Sequence, residues 1–227
     1  MKTVLITGAG RGIGLQLVKE FARAGYAVIG TYRDKKSAAE LLKLTESGKD
    51  VTAVTADVTD ESTFAPLKAA LKKAGSLDVL VNNSGVIGSK DRSLLELDLK
   101  DLKETMDVNA YGPMRVTKLA LPFMSESGTI AHITSLMGSI ADNGSGGYYH
   151  YRMSKTALNM FNKCLTHEFP NLTCLVLHPG WVQTDMGGAD ATTTVADSGA
   201  GLFKVITGAK TSATGKFYDF TGQELPW

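Results

Sequence analysis

Short apolar runs rich in β-branched residues alternate along the chain with longer stretches whose apolar positions recur every three to four residues. The runs are Thr3 to Thr7, Ala27 to Thr31, Val51 to Val54, Val79 to Val81, Thr129 to Thr134, Thr173 to Leu177 and Lys216 to Phe220. Several are apolar throughout rather than alternating, as strands are when both faces of a parallel sheet are covered. The pattern predicts an α/β fold, a single-domain doubly wound parallel sheet of about seven strands with helices on both faces. The first helix is expected from about Gly12 to Ala24, turning Ile13, Leu17, Phe21 and Ala24 inward, with Gly25 in the usual stop position. A helical stretch from about Leu99 to Met124 contains Pro113, and the Gly/Ser-rich Asn143 to Gly147 reads as a loop. No repeat or linker divides the chain, so residues 1–227 are expected to form one domain.

Composition narrows the partners more than the fold. The 227 residues, 43% of them hydrophobic, suffice for one large core. The formal charge is +1, with 24 basic and 23 acidic residues interspersed. No basic face announces nucleic acid or an anionic membrane, and a small-molecule partner is expected. The first apolar run is too short for a signal sequence and none later reaches a membrane-spanning length, which points to the cytoplasm. Cys164 and Cys174, without CxxC spacing, are expected to be core thiols. The four histidines show no metal-ligand spacing, so no metal is expected.

Immediately after the first run stands Thr7-Gly8-Ala9-Gly10-Arg11-Gly12-Ile13-Gly14, which opens the first helix. A helix N-terminus offers unpaired N–H groups and the positive end of a dipole, so a phosphate fits there. A Rossmann-type dinucleotide-binding half is therefore expected over about 1–110, with a catalytic and substrate half over about 111–227. No register satisfies GxGxxG; the spacing is TGxxxGxG on Gly8, Gly12 and Gly14. At the end of the second strand an acidic residue would hold a free ribose hydroxyl and an arginine a 2′-phosphate. The chain reads Thr31-Tyr32-Arg33-Asp34 there. Arg33 converging with Arg11 favours NADP(H); Asp34 turned inward in its place would favour NAD(H).

In Tyr151-Arg152-Met153-Ser154-Lys155 one helical turn sets a phenol and an ammonium on the same face. Free tyrosine has a pKa of about 10, so acid or base work near neutrality needs a depression of about three units, and a nearby cation shifts it in that direction. Alone, the pair reads better as an ordinary helix carrying an ordinary Tyr and Lys. Pro113 adds a second signal. It has no N–H to donate to the Asn109 carbonyl and its ring crowds that group, so an acceptor is released that could hold a water leading from Lys155 to bulk.

The order of motifs resembles the short-chain dehydrogenase/reductase family over nearly the whole chain. Beyond the glycine turn and YxxxK, the chain carries Ala56-Asp57-Val58, Asn82-Asn83-Ser84-Gly85 and Val108-Asn109-Ala110-Tyr111-Gly112. Ser135-Leu136-Met137-Gly138 and Pro179-Gly180-Trp181-Val182-Gln183-Thr184 follow in the same order. Ser84 departs from the family's usual alanine. Met137 to Ile140, Gly147-Tyr148-Tyr149, His178 to Trp181, Thr184 to Gly188 and Leu225-Pro226-Trp227 are similar to the sniffer and C-factor type of carbonyl reductase.

The resemblance implies hydride transfer between a nicotinamide and the carbonyl of a small aldehyde or ketone. It makes Tyr151 the acid or base, Lys155 its tuner and ribose ligand, Ser135 the donor to the carbonyl oxygen, and Asn109 part of a proton relay. It places the cofactor against Gly8, Arg11, Gly12, Ile13, Gly14, Arg33, Asp57, Val58, Asn83, Ser84 and Gly85, then Tyr151, Lys155, Pro179, Gly180, Val182 and Thr184. Leu136, Met137, Tyr148, Tyr149 and Trp181 are expected to line the substrate pocket, and Trp181 to Gly201 to form a mobile lid. A homodimer or homotetramer is implied. Three other readings stand beside this one: an NAD(H)-dependent alcohol dehydrogenase, a dinucleotide-binding sensor or signalling protein with incidental turnover, and a structural protein using the fold without bound cofactor, which the glycine turn disfavours. A hydrolase built on Ser135 and a histidine lacks the GxSxG elbow.

Overall fold

A computed structural model of the chain describes residues 1–47, 50–91 and 93–227. Strands β1 (Thr3–Ile6), β2 (Ala27–Tyr32), β3 (Val51–Thr55), β4 (Leu77–Asn82), β5 (Met124–Ile133), β6 (Thr173–His178) and β7 (Lys216–Asp219) make one sheet in the order β3-β2-β1-β4-β5-β6-β7. Every neighbouring pair is parallel. The helices are α1 (Gly12–Arg23), α2 (Ala39–Thr45), α3 (Ala65–Ala74), α4 (Leu99–Met106), α5 (Gly112–Ala120), α6 (Tyr149–Glu168) and α7 (Val195–Gly208). Each expected apolar run is a strand, although β5 begins at Met124 rather than Thr129.

Both faces of the sheet are dry, which explains why the strands do not alternate. Val4 and Ile6 pack on one side with Phe21 of α1, Leu41 of α2 and Leu202 of α7. Leu5 faces the other side, with Leu71 of α3, Val116 of α5 and Leu165 of α6. Side chains alternate between faces along a strand, so an apolar partner on each face demands an apolar residue at every position.

Three expectations need correction. Ala24 is exposed, because its ψ of 5° has left the helix, and Ile13 is only half-buried. The helix expected over Leu99 to Met124 is broken into α4, a π-turn at Asp107–Tyr111, α5 and a 3-10 turn at Leu121–Phe123. Pro113 lacks the N–H that would continue an α-helical ladder, and Gly112 N–H reaches back to the Asp107 carbonyl instead. Cys164 is exposed, since the buried stripe of α6 runs through Tyr151, Ser154, Lys155, Leu158, Asn162 and Leu165; Cys174 is buried as expected. Among the described residues no helix is long and apolar enough to cross a membrane.

Phe21 anchors α1. It is fully buried, with edge-on ring contacts to Tyr26 and Phe203 at centroid separations of 5.0 and 4.9 Å. Phe21→Ala should therefore lower the unfolding free energy by about 3–5 kcal/mol in urea titration, and a loss below about 1 kcal/mol would contradict this packing.

Candidate functional site

The chain runs from β1 outward to β2 and β3 and then returns to β4 on the other side of β1, so the strand order reverses between β1 and β4. Crevices at the carboxyl ends of strands form at such a reversal. Here a cleft of about 580 Å³ runs from Arg33 past the glycine turn to Tyr151 and Lys155.

The glycine turn forms one side. Gly8 and Gly12 have φ of +62° and +55°, a conformation that L side chains resist. A Cβ on Gly14 would overlap the Gly8 carbonyl, so only glycine lets α1 start this close to the strand. Asn83 braces the turn from β4, donating its side-chain amide to the Thr7 carbonyl at 2.9 Å while its backbone N–H donates to Thr7 Oγ1 at 2.9 Å. Helix α1 has neither a side-chain cap nor an acidic residue in its first turn, so its leading N–H groups are left for a ligand. Gly8, Arg11, Gly12, Ile13, Gly14, Asn83, Ser84 and Gly85 all line the cleft, as do Asp57 and Val58.

At the far end, Arg33 and Asp34 both reach the cleft. The Asp34 carboxylate accepts from the backbone N–H of Ser37 at 3.0 Å and from its hydroxyl at 2.8 Å, and these bonds hold its pKa below the ordinary value. Its oxygens are thus committed to the turn leading into α2. Arg11 does not converge on Arg33 as expected. It pairs with Asp185, across the mouth of the cleft.

The residues expected to be catalytic meet where β5 ends. Ser135 opens a 3-10 turn, Leu136–Gly138, and its hydroxyl accepts from Met137 N–H at 3.2 Å. A Cβ on Gly138 would lie 2.9 Å from Lys155 Cβ, so glycine is what allows this turn to sit directly on α6. Tyr151 and Ser135 share a hydrogen bond through their side chains. Lys155 Nζ donates to the Ile133 carbonyl at 2.9 Å and lies 5.6 Å from the centre of the Tyr151 ring. Asn109 is fully buried, and its side-chain amide clasps Val86 at both N–H and C=O, each at 2.8 Å, while also donating to Ser154 Oγ at 3.0 Å.

The charge states depart from expectation. Burial pushes the Tyr151 phenol up to about 12, with the Ser135 hydrogen bond opposing it. Burial pulls Lys155 down to about 8. The ammonium was expected to supply much of the phenol's acidification; instead desolvation of the phenolate dominates, and the ammonium is directed to a carbonyl rather than to the phenolic oxygen.

Pro179 and Thr184 reach the cleft; Gly180 and Val182 do not, and Val182 is buried beside a bridge to Thr193. Ser135 and Asn109 adjoin the cleft from behind its wall. Leu136, Met137, Tyr148 and Tyr149 are half-buried and Trp181 is exposed, and none of them lines this cleft. The expected lid is shorter and more tied than a free flap. Gln183 N–H donates to Thr193 O and Thr193 N–H to Trp181 O, both at 2.9 Å, Trp181 Nε1 donates to Gly187 O at 2.8 Å, and from Val195 the chain is α7. Gln16, Lys19 and Ser37 also line the cleft and were not foreseen. Gln16 was legible as one helical turn past Gly12, whereas Ser37 depends on the fold of the turn after Asp34.

A family model described as short chain dehydrogenase matches residues 2–194. The C-signal protein of Myxococcus xanthus is 45% identical over 157 residues, spanning 67% of this chain and 94% of that protein. The solved structure of carbonyl reductase Sniffer of D. melanogaster aligns with a TM-score of 0.94 at 30% identity, covering 100% of both chains. The NADPH-bound carbonyl reductase from chicken fatty liver aligns with a TM-score of 0.90 at 32% identity, covering 100% of this chain and 94% of that one.

Burial of Lys155 has a measurable consequence. The unfolded chain holds the Lys155 proton to higher pH than the folded chain, so the folded state gains stability as pH rises from about 8 towards 10.5. Below that window the full desolvation penalty applies. Lys155→Met should therefore be more stable than the parent at pH 7 by on the order of 1–3 kcal/mol, and this advantage should shrink between pH 8 and 10 in denaturant titrations. A pH-independent difference would refute the burial argument.

Proposed function

From the premise that the chain belongs to the short chain dehydrogenase family, we propose that it is an NADP(H)-dependent oxidoreductase reducing the carbonyl of a small aldehyde or ketone. The observation that carries the reading is the meeting of Tyr151, Ser135 and Lys155 at one end of a cleft whose other end is a glycine turn under an uncapped helix. That cradle fits a dinucleotide pyrophosphate, because α1 begins there with neither a side-chain cap nor an acidic residue in its first turn and so supplies unpaired donors. NADPH held there would supply the hydride.

The chain's own groups supply the rest. A phenol raised to about 12 stays protonated at neutral pH, which is the form a reduction needs from its proton donor. Tyr151 would give its proton to the carbonyl oxygen while Ser135 donates a hydrogen bond to that oxygen as charge develops, a contribution of about 2.7–4 kcal/mol for such donors. Lys155, held by the Ile133 carbonyl, would keep a positive charge beside the ring and bind the ribose. The carbonyl of Asn109, relieved of an α-helical partner by Pro113, would hold the water through which Tyr151 is reprotonated.

For the nucleotide, Arg33 would take a 2′-phosphate, and Asp34 is occupied by Ser37 and does not compete. The likeness to an NADPH-bound carbonyl reductase supports the same choice. Val182 and Gly180 would act through the backbone path that carries Pro179 and Thr184. Leu136, Met137, Tyr148 and Trp181 would close on the substrate only with the segment 181–194 drawn inward. Exposed Met153 and Met160 on α6 support pairing of two copies through that helix, within a cytoplasmic homodimer or homotetramer. Kinship with a protein named C-signal keeps a signalling role as the second reading, and turnover decides between them.

A screen of aldehydes, ketones and quinones that follows NADPH consumption should find turnover, and its absence across all classes favours the signalling role. Tyr151→Phe should lower kcat by about 10²–10⁴ while NADPH still binds. Arg33→Ala should weaken NADPH about tenfold or more and leave NADH nearly unchanged; equal losses for the two would sink the assignment of the 2′-phosphate. Pro113→Ala should reduce kcat and alter its pH profile, and an unchanged profile would remove Asn109 from the relay.

A further inference from the structure

We propose that His150 is a buried imidazolium that staples the segment between β4 and α4 to the head of α6 and thereby positions Tyr151. Its functional consequence rests on the reduction proposed above; its charge state does not.

The segment after β4 lines the cleft at Asn83 to Val86 and then runs outward to α4. On its outward limb the Asp91 carboxylate pairs with His150 Nδ1. On its return, the Asp98 carbonyl oxygen lies 2.9 Å from His150 Nε2, and the Asp101 carboxylate lies 3.7 Å from the same nitrogen. His150 is fully buried and Asp91 is 8% exposed. A carbonyl oxygen can only accept a hydrogen bond, and so can an ionised carboxylate. With Nε2–H donating to the Asp98 carbonyl and an ionised Asp91 against Nδ1, both ring nitrogens carry a proton and the imidazole is a cation; a protonated Asp91 donating to Nδ1 would leave the ring neutral, and nitrogen protonation distinguishes the two. Asp91 and Asp101 supply the countercharge that a buried cation requires. Asp101 is itself fixed, accepting from Ser89 N–H at 2.7 Å and from the Ser89 hydroxyl.

A second observation shows what the staple holds. Tyr148, which precedes α6, has φ of +51°, and among the described residues no other non-glycine has a positive φ. Such a backbone persists only where its surroundings over-determine it. The Asp91 carbonyl accepts from Tyr148 N–H at 2.6 Å, while α6 has no side-chain cap of its own. Asp91 therefore grips the head of α6 twice, through its carbonyl and through His150, immediately before Tyr151. Asn109 ties the other end of the same segment to Ser154. The cleft wall and the turn bearing Tyr151 are thus coupled at two points.

The test uses the full chain. Long-range ¹H–¹⁵N correlation at pH 7, with His150→Gln for assignment, should show both ring nitrogens of His150 protonated; a single neutral tautomer overturns the imidazolium. Asp91→Asn removes the charge and keeps the shape. It should raise amide exchange at Tyr148 to Arg152 at least about tenfold and lower kcat per folded molecule about tenfold, with NADPH affinity unchanged. The double variant Asp91→Asn/His150→Gln should recover part of that loss, because no buried charge is left unpaired. Asp91→Glu, which retains the charge, should stay within about threefold of the parent in kcat. Unchanged exchange and kcat in Asp91→Asn, or losses that simply multiply in the double variant, overturn the positioning role. If the parent turns over no carbonyl compound, the functional reading fails while nitrogen protonation and amide exchange still decide the staple.

Discussion

The site depends on how closely α6 can lie against the turn that leaves β5. Gly138 has no side chain where Lys155 Cβ would collide with one, and Thr134 Oγ1 donates to Asn159 Oδ1 at 2.7 Å just before it. That approach sets Ser135 within a hydrogen bond of Tyr151 and brings Lys155 Nζ to the Ile133 carbonyl. A methyl group at position 138 would separate strand end from helix and pull the three groups apart together. The SxxG spacing is therefore a packing requirement as much as a chemical one.

The same closeness explains the charge states. Tyr151 is 9% and Lys155 3% exposed, so each is penalised for its ionised form. Proximity in sequence predicted the opposite outcome for the phenol, with an ammonium lowering its pKa by Coulomb attraction. In a dry pocket desolvation outweighs that attraction unless the charge points at the phenolic oxygen. The result is a phenol that holds its proton more tightly than an ordinary tyrosine, beside an ammonium that holds its own less tightly than an ordinary lysine.

The sheet was legible because its physics is local: uninterrupted apolar strands, glycine at a strand-to-helix turn, and helices of steady period. Even the break near Pro113 was readable as a released carbonyl, though not as a π-turn, because the compensating bond from Gly112 to Asp107 depends on how α5 packs against Val58. The glycine turn, Asp57, Asn83, Tyr151 and Lys155 all line the cleft. What departed from expectation was Arg11, whose partner Asp185 lies far along the chain and is marked by no periodicity, whereas Asp34 is held locally by Ser37 three residues on. Leu136, Met137, Tyr148, Tyr149 and Trp181 lie outside the cleft, and their direction is fixed by the chain that follows β5 and β6.

His150 shows why such partners escape a reading of the chain. Nothing in its neighbours distinguishes it from a core histidine, and its carboxylate partners lie some fifty residues upstream in a segment with no strong pattern. Yet the structure concentrates its least favourable groups here: a left-handed Tyr148, a buried Lys155 and a buried His150 beside two acids. Such groups persist where the surrounding core is strong enough to hold them, and a parallel sheet covered on both faces provides that core. Stability resides in the sheet and α1, while the edge of the cleft is held by directional bonds that fix the turn bearing Tyr151.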